Sequence, residues 1–194
     1  SLSHALKSVL FSLKNKRHVL LVSDDGAGVT QLSRWILQYF NKINASEDDF
    51  CKKYQEFFYE CNEETNCSDL FGRQIVSDSM DSDNKLIKWK FGFLTKAIKR
   101  GKIAVLDKIK LAPIEVIGIL KDIMDQKFDD KIKYFDVPGN PKKQKVEINE
   151  NFCLLCTCSN GISEDLQSFF NRFDIIFLED QLENISPTDL KELI

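Results

Sequence analysis

His18-Val19-Leu20-Leu21-Val22-Ser23-Asp24-Asp25-Gly26-Ala27-Gly28-Val29-Thr30-Gln31-Leu32 reads as a buried strand turning through glycines into a helix. The turn is laid out like the phosphate-binding loop G-x-x-x-x-G-K-[ST], which would place glycine at positions 23 and 28, lysine at 29 and a hydroxyl at 30. Gly28 and Thr30 fit that pattern, whereas Ser23 and Val29 depart from it. What survives is backbone chemistry. Gly26, Ala27 and Gly28 bring loop amides toward an anion, Val29 and Gln31 lie in the opening turn of the helix, and Thr30 offers a hydroxyl suited to Mg²⁺. The cation that grips the β- and γ-phosphates is missing. A charge-assisted hydrogen bond contributes about 1.5–3 kcal/mol, so its loss lowers nucleotide affinity about tenfold or more. An ordinary strand-turn-helix is the alternative reading of this half-motif.

The 194 residues, 43% hydrophobic and 29% charged, suffice for one sizeable core and predict a single α/β domain over residues 1–194. A net charge of −3 gives no global reason to expect direct nucleic-acid contact or membrane binding. No apolar run approaches about 18 residues and no signal-peptide pattern is present, so the expectation is an intracellular protein. Six cysteines raise the question of metal or disulfides, but Cys153, Cys156 and Cys158 share one apolar strand. Alternation puts Cys156 and Cys158 on one face and Cys153 on the other, which suits reduced, buried thiols better than a shared zinc; Cys51, Cys61 and Cys67 are read the same way.

Apolar runs with strand character recur at Val19 to Ser23, Glu56 to Cys61, Ile103 to Asp107, Phe152 to Cys158 and Asp174 to Leu178. Helical spacing separates most of them. Leu32, Trp35, Ile36, Tyr39 and Phe40 follow the loop, and Ser46 with Asp49 marks a short capped helix. Phe93, Leu94, Ala97 and Ile98 predict a helix ended by Gly101, and Pro113 opens another with Val116, Ile117, Leu120 and Met124 inward. This alternation predicts a five-stranded, mainly parallel sheet with helices on both faces and ligands at the carboxyl ends of its strands. Ser77 to Asn84 reads as a polar loop, and Lys131 to Ile148 as a β-hairpin inserted around Pro138-Gly139-Asn140-Pro141. Ser186-Pro187-Thr188-Asp189 is a helix start close to the chain's last residue, as in a fragment of something larger.

Lys102 to Lys108 supplies the second half of a nucleotide site, an apolar strand ending in Asp107. In phosphate-loop enzymes such an aspartate holds Mg²⁺, and the residue after it is a glutamate that activates water. Lys108 occupies that place, and with an ordinary pKa of about 10.4, raised further by phosphate, it cannot serve as the base. It offers instead a positive charge in place of the one missing at Val29. Asn160, after the fourth strand, reads either as a side-chain amide beside the γ-phosphate or as a turn former before Gly161. Arg172, just before the last strand, reads either as a surface ion-pair partner or as an arginine finger for a neighbour's nucleotide.

Taken in order, the residues resemble the AAA+ ATPase family, and within it the midasin subfamily, with dynein motor modules next. The likeness rests on Ser68-Asp69-Leu70-Phe71-Gly72, on Trp89-Lys90-Phe91-Gly92-Phe93-Leu94 through Gly101, and on Val105-Leu106-Asp107-Lys108-Ile109-Lys110-Leu111-Ala112-Pro113. It continues through Val137-Pro138-Gly139 to Phe170-Asn171-Arg172-Phe173, roughly residues 18 to 178 in all. The subfamily similarly carries a D-L-x-G segment, a W-x-x-G-x-L helix start, an L-D-E-I-x-L-A-P strand end and an N-R-F. The resemblance implies a P-loop NTPase αβα sandwich, one module of a ring of such modules on a single polypeptide, remodelling large-subunit ribosome precursors in the nucleolus and nucleoplasm. It implies ATP or ADP with Mg²⁺ as ligand, held by Gly26, Ala27, Gly28, Val29, Thr30, Gln31, Asp107 and Asn160, with Thr30 and Asp107 on the metal and Arg172 as finger in trans. Partners would be neighbouring modules and pre-ribosomal proteins. Ser23, Val29 and Lys108 depart from the active pattern, which implies weak or absent nucleotide binding and no hydrolysis. The small helical lid would follow Ile194.

Overall fold

Val19 to Val22 is too short for a helix and carries no polar side chain, so its backbone groups must be satisfied by strands on both sides. In the computed structural model, which describes residues 2–41, 56–77, 86–125, 133–159 and 166–178, β1 (Val19–Ser23) lies between β8 (Cys153–Ser159) and β9 (Asp174–Leu178). Beyond β8 lie β5 (Ile103–Asp107) and β2 (Phe58–Glu60), giving the all-parallel order β2-β5-β8-β1-β9. Every residue of β1 and β5 is buried, as two-sided cover by helices requires.

β1, β5 and β9 occupy the expected residues. β8 starts one residue late because the Phe152 amide bonds back to the Asn149 carbonyl at 3.0 Å, which holds Phe152 in the preceding turn. β2 is shorter than the expected Glu56 to Cys61. Among the described residues it is an edge strand with β5 as its one neighbour, although Val105 donates to Phe57 and Cys61 to Asp107 at 2.8 Å on either side of the ladder.

The helices follow from apolar spacing. α1 (Leu2–Lys14) buries Leu6, Val9, Leu10 and Leu13 against β1 and β9, and was not among the expected elements. α2 (Val29–Asn41) packs on β5 and β8. Its expected stripe needs one correction: Tyr39 is 42% exposed, and Leu37 points inward instead, one position after Ile36 on the same face. The last residue of α2 ties the helix to the sheet, since the buried Asn41 amide donates to the Ile103 carbonyl at 3.0 Å and its oxygen accepts from the Ile103 amide at 3.1 Å. After the short α3 (Cys67–Leu70), α4 (Phe93–Arg100) ends as expected at Gly101, whose φ of 62° is left-handed. α5 (Ile114–Asp125) follows Pro113 with Val116, Ile117, Leu120 and Met124 buried, and α6 (Gln167–Phe170) precedes the last strand.

The expected hairpin is present as β6 (Tyr134–Asp136) and β7 (Lys145–Glu147), its inner Phe135 and Val146 joining the core. A second hairpin was not expected: β3 (Gly72–Ser77) pairs antiparallel with β4 (Leu86–Phe91). Ser77, read as the start of a polar loop, pairs with Leu86 as the last residue of β3. Trp89 of β4 links the two hairpins. A Cβ built on Gly72 would fall 2.9 Å from its indole nitrogen, and one on Gly139 would fall 3.8 Å from its outer ring edge. The Ser46–Asp49 helix, the rest of the Ser77–Asn84 loop, the Ser186–Asp189 helix start, Cys51 and Asn160 lie outside the described residues.

Candidate functional site

The carboxyl ends of β1, β8, β5 and β2 meet along one rim, with Ser23 in register with Ser159 and Glu60 with Asp107. From that rim the loop runs Asp24 to Gly28 into α2. Gly26 and Gly28 hold φ of 83° and 79°, a region that residues with a Cβ rarely enter, and this lets the chain double back to start α2 at Val29. The Gly28 carbonyl accepts from Gln31 and Leu32, both at 3.1 Å, so helical bonding starts immediately. Ala27 is buried, Gly26, Gly28 and Gln31 are exposed, and Thr30 is half-buried. Val29 stands where the pattern has lysine, half-buried and packed on the core. At the first glycine position Ser23 is 5% exposed, and its hydroxyl makes no hydrogen bond among the described residues.

Thr30 and Asp107 are brought together as the sequence suggests. The Thr30 hydroxyl donates to Oδ2 of Asp107 at 2.8 Å, and Asp107 is fully buried. Its other oxygen, Oδ1, accepts from the Thr157 hydroxyl at 2.5 Å, and the same hydroxyl accepts from the Lys108 amide at 2.8 Å. Thr157 was missed because an inward threonine in a run such as Phe152 to Cys158 reads as strand filling. A carboxylate and a hydroxyl are both hard oxygen donors, so the Thr30–Asp107 pair fits Mg²⁺ brought in on phosphate. Among the described residues no group of three or more His, Cys, Asp or Glu could hold a metal without such help.

Lys108 is the second departure. It holds a φ of 55°, and its ammonium donates to Oε1 of Glu60 at 2.6 Å, between the ends of β5 and β2. The hydrogen bond and charge of Glu60, with lesser contributions from Asp107 and Asp25, raise the lysine pKa above its ordinary value, so it stays cationic. Glu60, Asp24 and Asp25 were not singled out from the sequence, although the two aspartates stand in the loop itself. Glu60, Asp25 and Asp107 set carboxylates around Lys108, a field that opposes a polyphosphate. Close by, burial pushes the Cys61 thiol up to about 12, helped by Asp107 and Glu60. Such a thiol is neutral and inert.

Arg172 lies away from this rim, just before β9. Its guanidinium forms a two-pronged pair with Asp125 at the end of α5, Nε to Oδ1 at 2.5 Å and the terminal nitrogen to Oδ2 at 2.6 Å, and it also donates to the Ser168 carbonyl. That hydrogen bond and charge hold the Asp125 carboxyl below its ordinary value. No helix among the described residues is long and apolar enough to cross a membrane.

Residues 18–183 match the family profile described as the AAA domain of the dynein-related subfamily. Midasin of Dictyostelium discoideum is 26% identical over 132 residues, covering 68% of this chain and 2% of that protein. The uncharacterized protein YojN of Bacillus subtilis is 22% identical over 184 residues, 91% of this chain and 53% of that one. The chain therefore spans about half of one of these relatives and a small fraction of the other. Among solved structures, NtrX from Brucella abortus in complex with ADP aligns with a TM-score of 0.55 at 18% identity, over 92% of this chain and 35% of that one. A putative ATPase from Cytophaga hutchinsonii aligns at 0.53 and 13% identity, over 98% and 56%. At these identities the structural likeness shows the fold, an α/β P-loop NTPase sheet with its helices.

Proposed function

Since the chain belongs to the dynein-related subfamily of AAA domains and is an AAA+ module related to midasin, we propose that it is a degenerate module that builds a multi-module ATPase ring without hydrolysing nucleotide itself. The observation that carries the reading is the Lys108–Glu60 ion pair. The place of the water-activating carboxylate holds a cation, and that cation is committed to a neighbouring strand end, not to a phosphate. Val29 adds to this, because an apolar side chain packed on the core supplies no charge to the β- and γ-phosphates.

What persists is the scaffold of a site: left-handed glycines, a helix N-terminus and the Thr30–Asp107 pair. Gly26, Ala27, Gly28, Val29, Thr30 and Gln31 would line the phosphates of ATP or ADP, Thr30 and Asp107 would hold Mg²⁺, and Asn160 would stand near the γ-phosphate. Mg²⁺, when bound, screens phosphate charge. The retained pair favours a second reading, a module that binds nucleotide weakly as a regulatory signal in a dynein-like or clamp-loader-like assembly. By its likeness to midasin, the ring would remodel large-subunit ribosome precursors in the nucleus, its partners being neighbouring modules and pre-ribosomal proteins, with Arg172 offered to an adjacent site.

Calorimetric titration of Mg·ATP and Mg·ADP into the chain, beside the double variant Val29→Lys/Lys108→Glu, tests this. No heat from the native chain and binding by the variant is the expected result. Micromolar binding by the native chain overturns the purely structural role and leaves the regulatory one.

A further inference from the structure

Arg73 and Lys90 face each other directly across the β3–β4 ladder. Like charges at opposed positions of an antiparallel pair are destabilising. Lys96 joins them from the first turn of α4, where the positive end of the helix dipole also disfavours a cation and no acidic residue offsets it. The three line one pocket of about 280 Å³ at the foot of the hairpin, with Tyr59, Asp69 and Phe93 completing its wall. Among the described residues none of the three cations has an ion-pair partner, and Asp69 is the one carboxylate among the lining residues. Three cations, each placed against local energetics, outnumber the single carboxylate of Asp69 around one concavity and mark a place where a further anion is supplied from outside.

We propose that this pocket binds an acidic peptide segment of a partner protein, through carboxylates set against Arg73, Lys90 and Lys96. The volume lies just under the range of about 300–1,000 Å³ for small-molecule sites, which suits one or two acidic side chains more than a whole cofactor. Single-stranded nucleic acid is disfavoured because it binds by stacking bases on open aromatic faces. Here Tyr59 and Phe93 stack on each other, with centroids 5.6 Å apart and planes 4° apart, and the Lys99 ammonium sits 5.9 Å over the Phe91 ring. The pocket shares no lining residue with the nucleotide site described above, although Tyr59 adjoins Glu60 of the rim, and the proposal does not require that rim to bind ATP.

The test is fluorescence anisotropy of a labelled octaglutamate peptide titrated with the chain at low ionic strength, beside a labelled oligouridylate and the variants Arg73→Glu and Lys96→Gln. Expected are saturable peptide binding, a loss of about tenfold or more in affinity for each variant, and weakening by salt. Arg73→Glu also converts the opposed like pair into an ion pair with Lys90, so its melting temperature should hold or rise while binding falls, separating recognition from folding. The proposal is overturned if the peptide does not bind, if both variants bind it like the native chain, or if oligouridylate binds more tightly and is the ligand those variants lose.

Discussion

The hydroxyl of Thr30 donates to Oδ2 of Asp107 across 2.8 Å, joining residues 77 positions apart at the rim of the sheet. Because Thr157 binds the other oxygen, the buried carboxylate is held from α2 and β8 at once. The lattice that would carry Mg²⁺ is therefore also a folding element, which explains how it persists beside Val29 and Lys108.

Thr157→Val follows from that lattice. It leaves Oδ1 of Asp107 and the Lys108 amide without their partner in a site where Thr157 is 1% exposed. A buried group left unsatisfied costs about 1–3 kcal/mol, so urea denaturation should show a loss of that size, with Thr157→Ser close to native. A native-like midpoint for Thr157→Val would deny the lattice a structural role.

Exchange of the rim charges separates pairing from either residue alone. Lys108→Glu sets a second carboxylate beside Glu60, and Glu60→Lys sets a second ammonium beside Lys108, so each should lower the melting temperature. The double exchange Glu60→Lys/Lys108→Glu restores opposite charges and should recover most of the loss in a thermal scan.

Asn41 gives a sharper stability test. Its amide replaces a strand neighbour for Ile103, satisfying both backbone groups of that residue at 3.0 and 3.1 Å. In urea denaturation Asn41→Ala should cost about 1–3 kcal/mol, and Asn41→Asp, which keeps the acceptor but sets a buried carboxylate oxygen against the Ile103 carbonyl, should cost at least as much.

How much of this was legible in the sequence depended on whether a residue's task was local. Val19–Ser23 and Ile103–Asp107 announce themselves because parallel strands buried on both faces read as near-continuous apolar runs, and the half-covered edge strand Asp174–Leu178 by the apolar run that follows its aspartate. Pro113 and Gly101 mark helix ends through their own backbone limits. The β3–β4 hairpin escaped because Gly72–Ser77 does not alternate and the alternating Ile87 to Phe91 had no recognisable partner, the pair being a ribbon outside the main sheet. α1 carried a readable stripe of Leu6, Val9, Leu10 and Leu13, but no motif drew attention to it. At the rim, the loop and Asp107 were legible as motif positions. Glu60 and Thr157 were not, since their roles exist only once β2, β5 and β8 lie side by side.

Alkaline pH should weaken the fold through Cys61. Its thiol ordinarily ionises near 9.0 and is pushed up to about 12 in the folded chain by burial and the nearby carboxylates. Above the lower value the unfolded state releases its proton first, so stability is complete below about pH 9 and is lost as pH rises toward 12. This group alone adds a slope of up to about 1.4 kcal/mol per pH unit. Cys61→Ala should flatten that limb in denaturant midpoints taken across the window, and an unchanged slope would mean that the thiol is not shielded.

Arg172 is held by Asp125, and this sets how a finger role would be seen. The pair is partly exposed, 25% and 53% for the two side chains, so breaking it with Asp125→Asn should cost the chain no more than about 1 kcal/mol. Because the arginine depresses the Asp125 pKa, the pair's contribution is present above the ordinary carboxyl value of 3.8 and fades as pH falls below it, a dependence that Asp125→Asn removes. In a ring of the kind proposed the two variants should diverge. Arg172→Ala removes the cation that would stabilise transferring phosphate in a neighbour and should cut that neighbour's turnover by about a hundredfold or more, whereas Asp125→Asn keeps the cation and should spare it. Equal turnover in both variants would mean that Arg172 works only as a strut between α5 and β9.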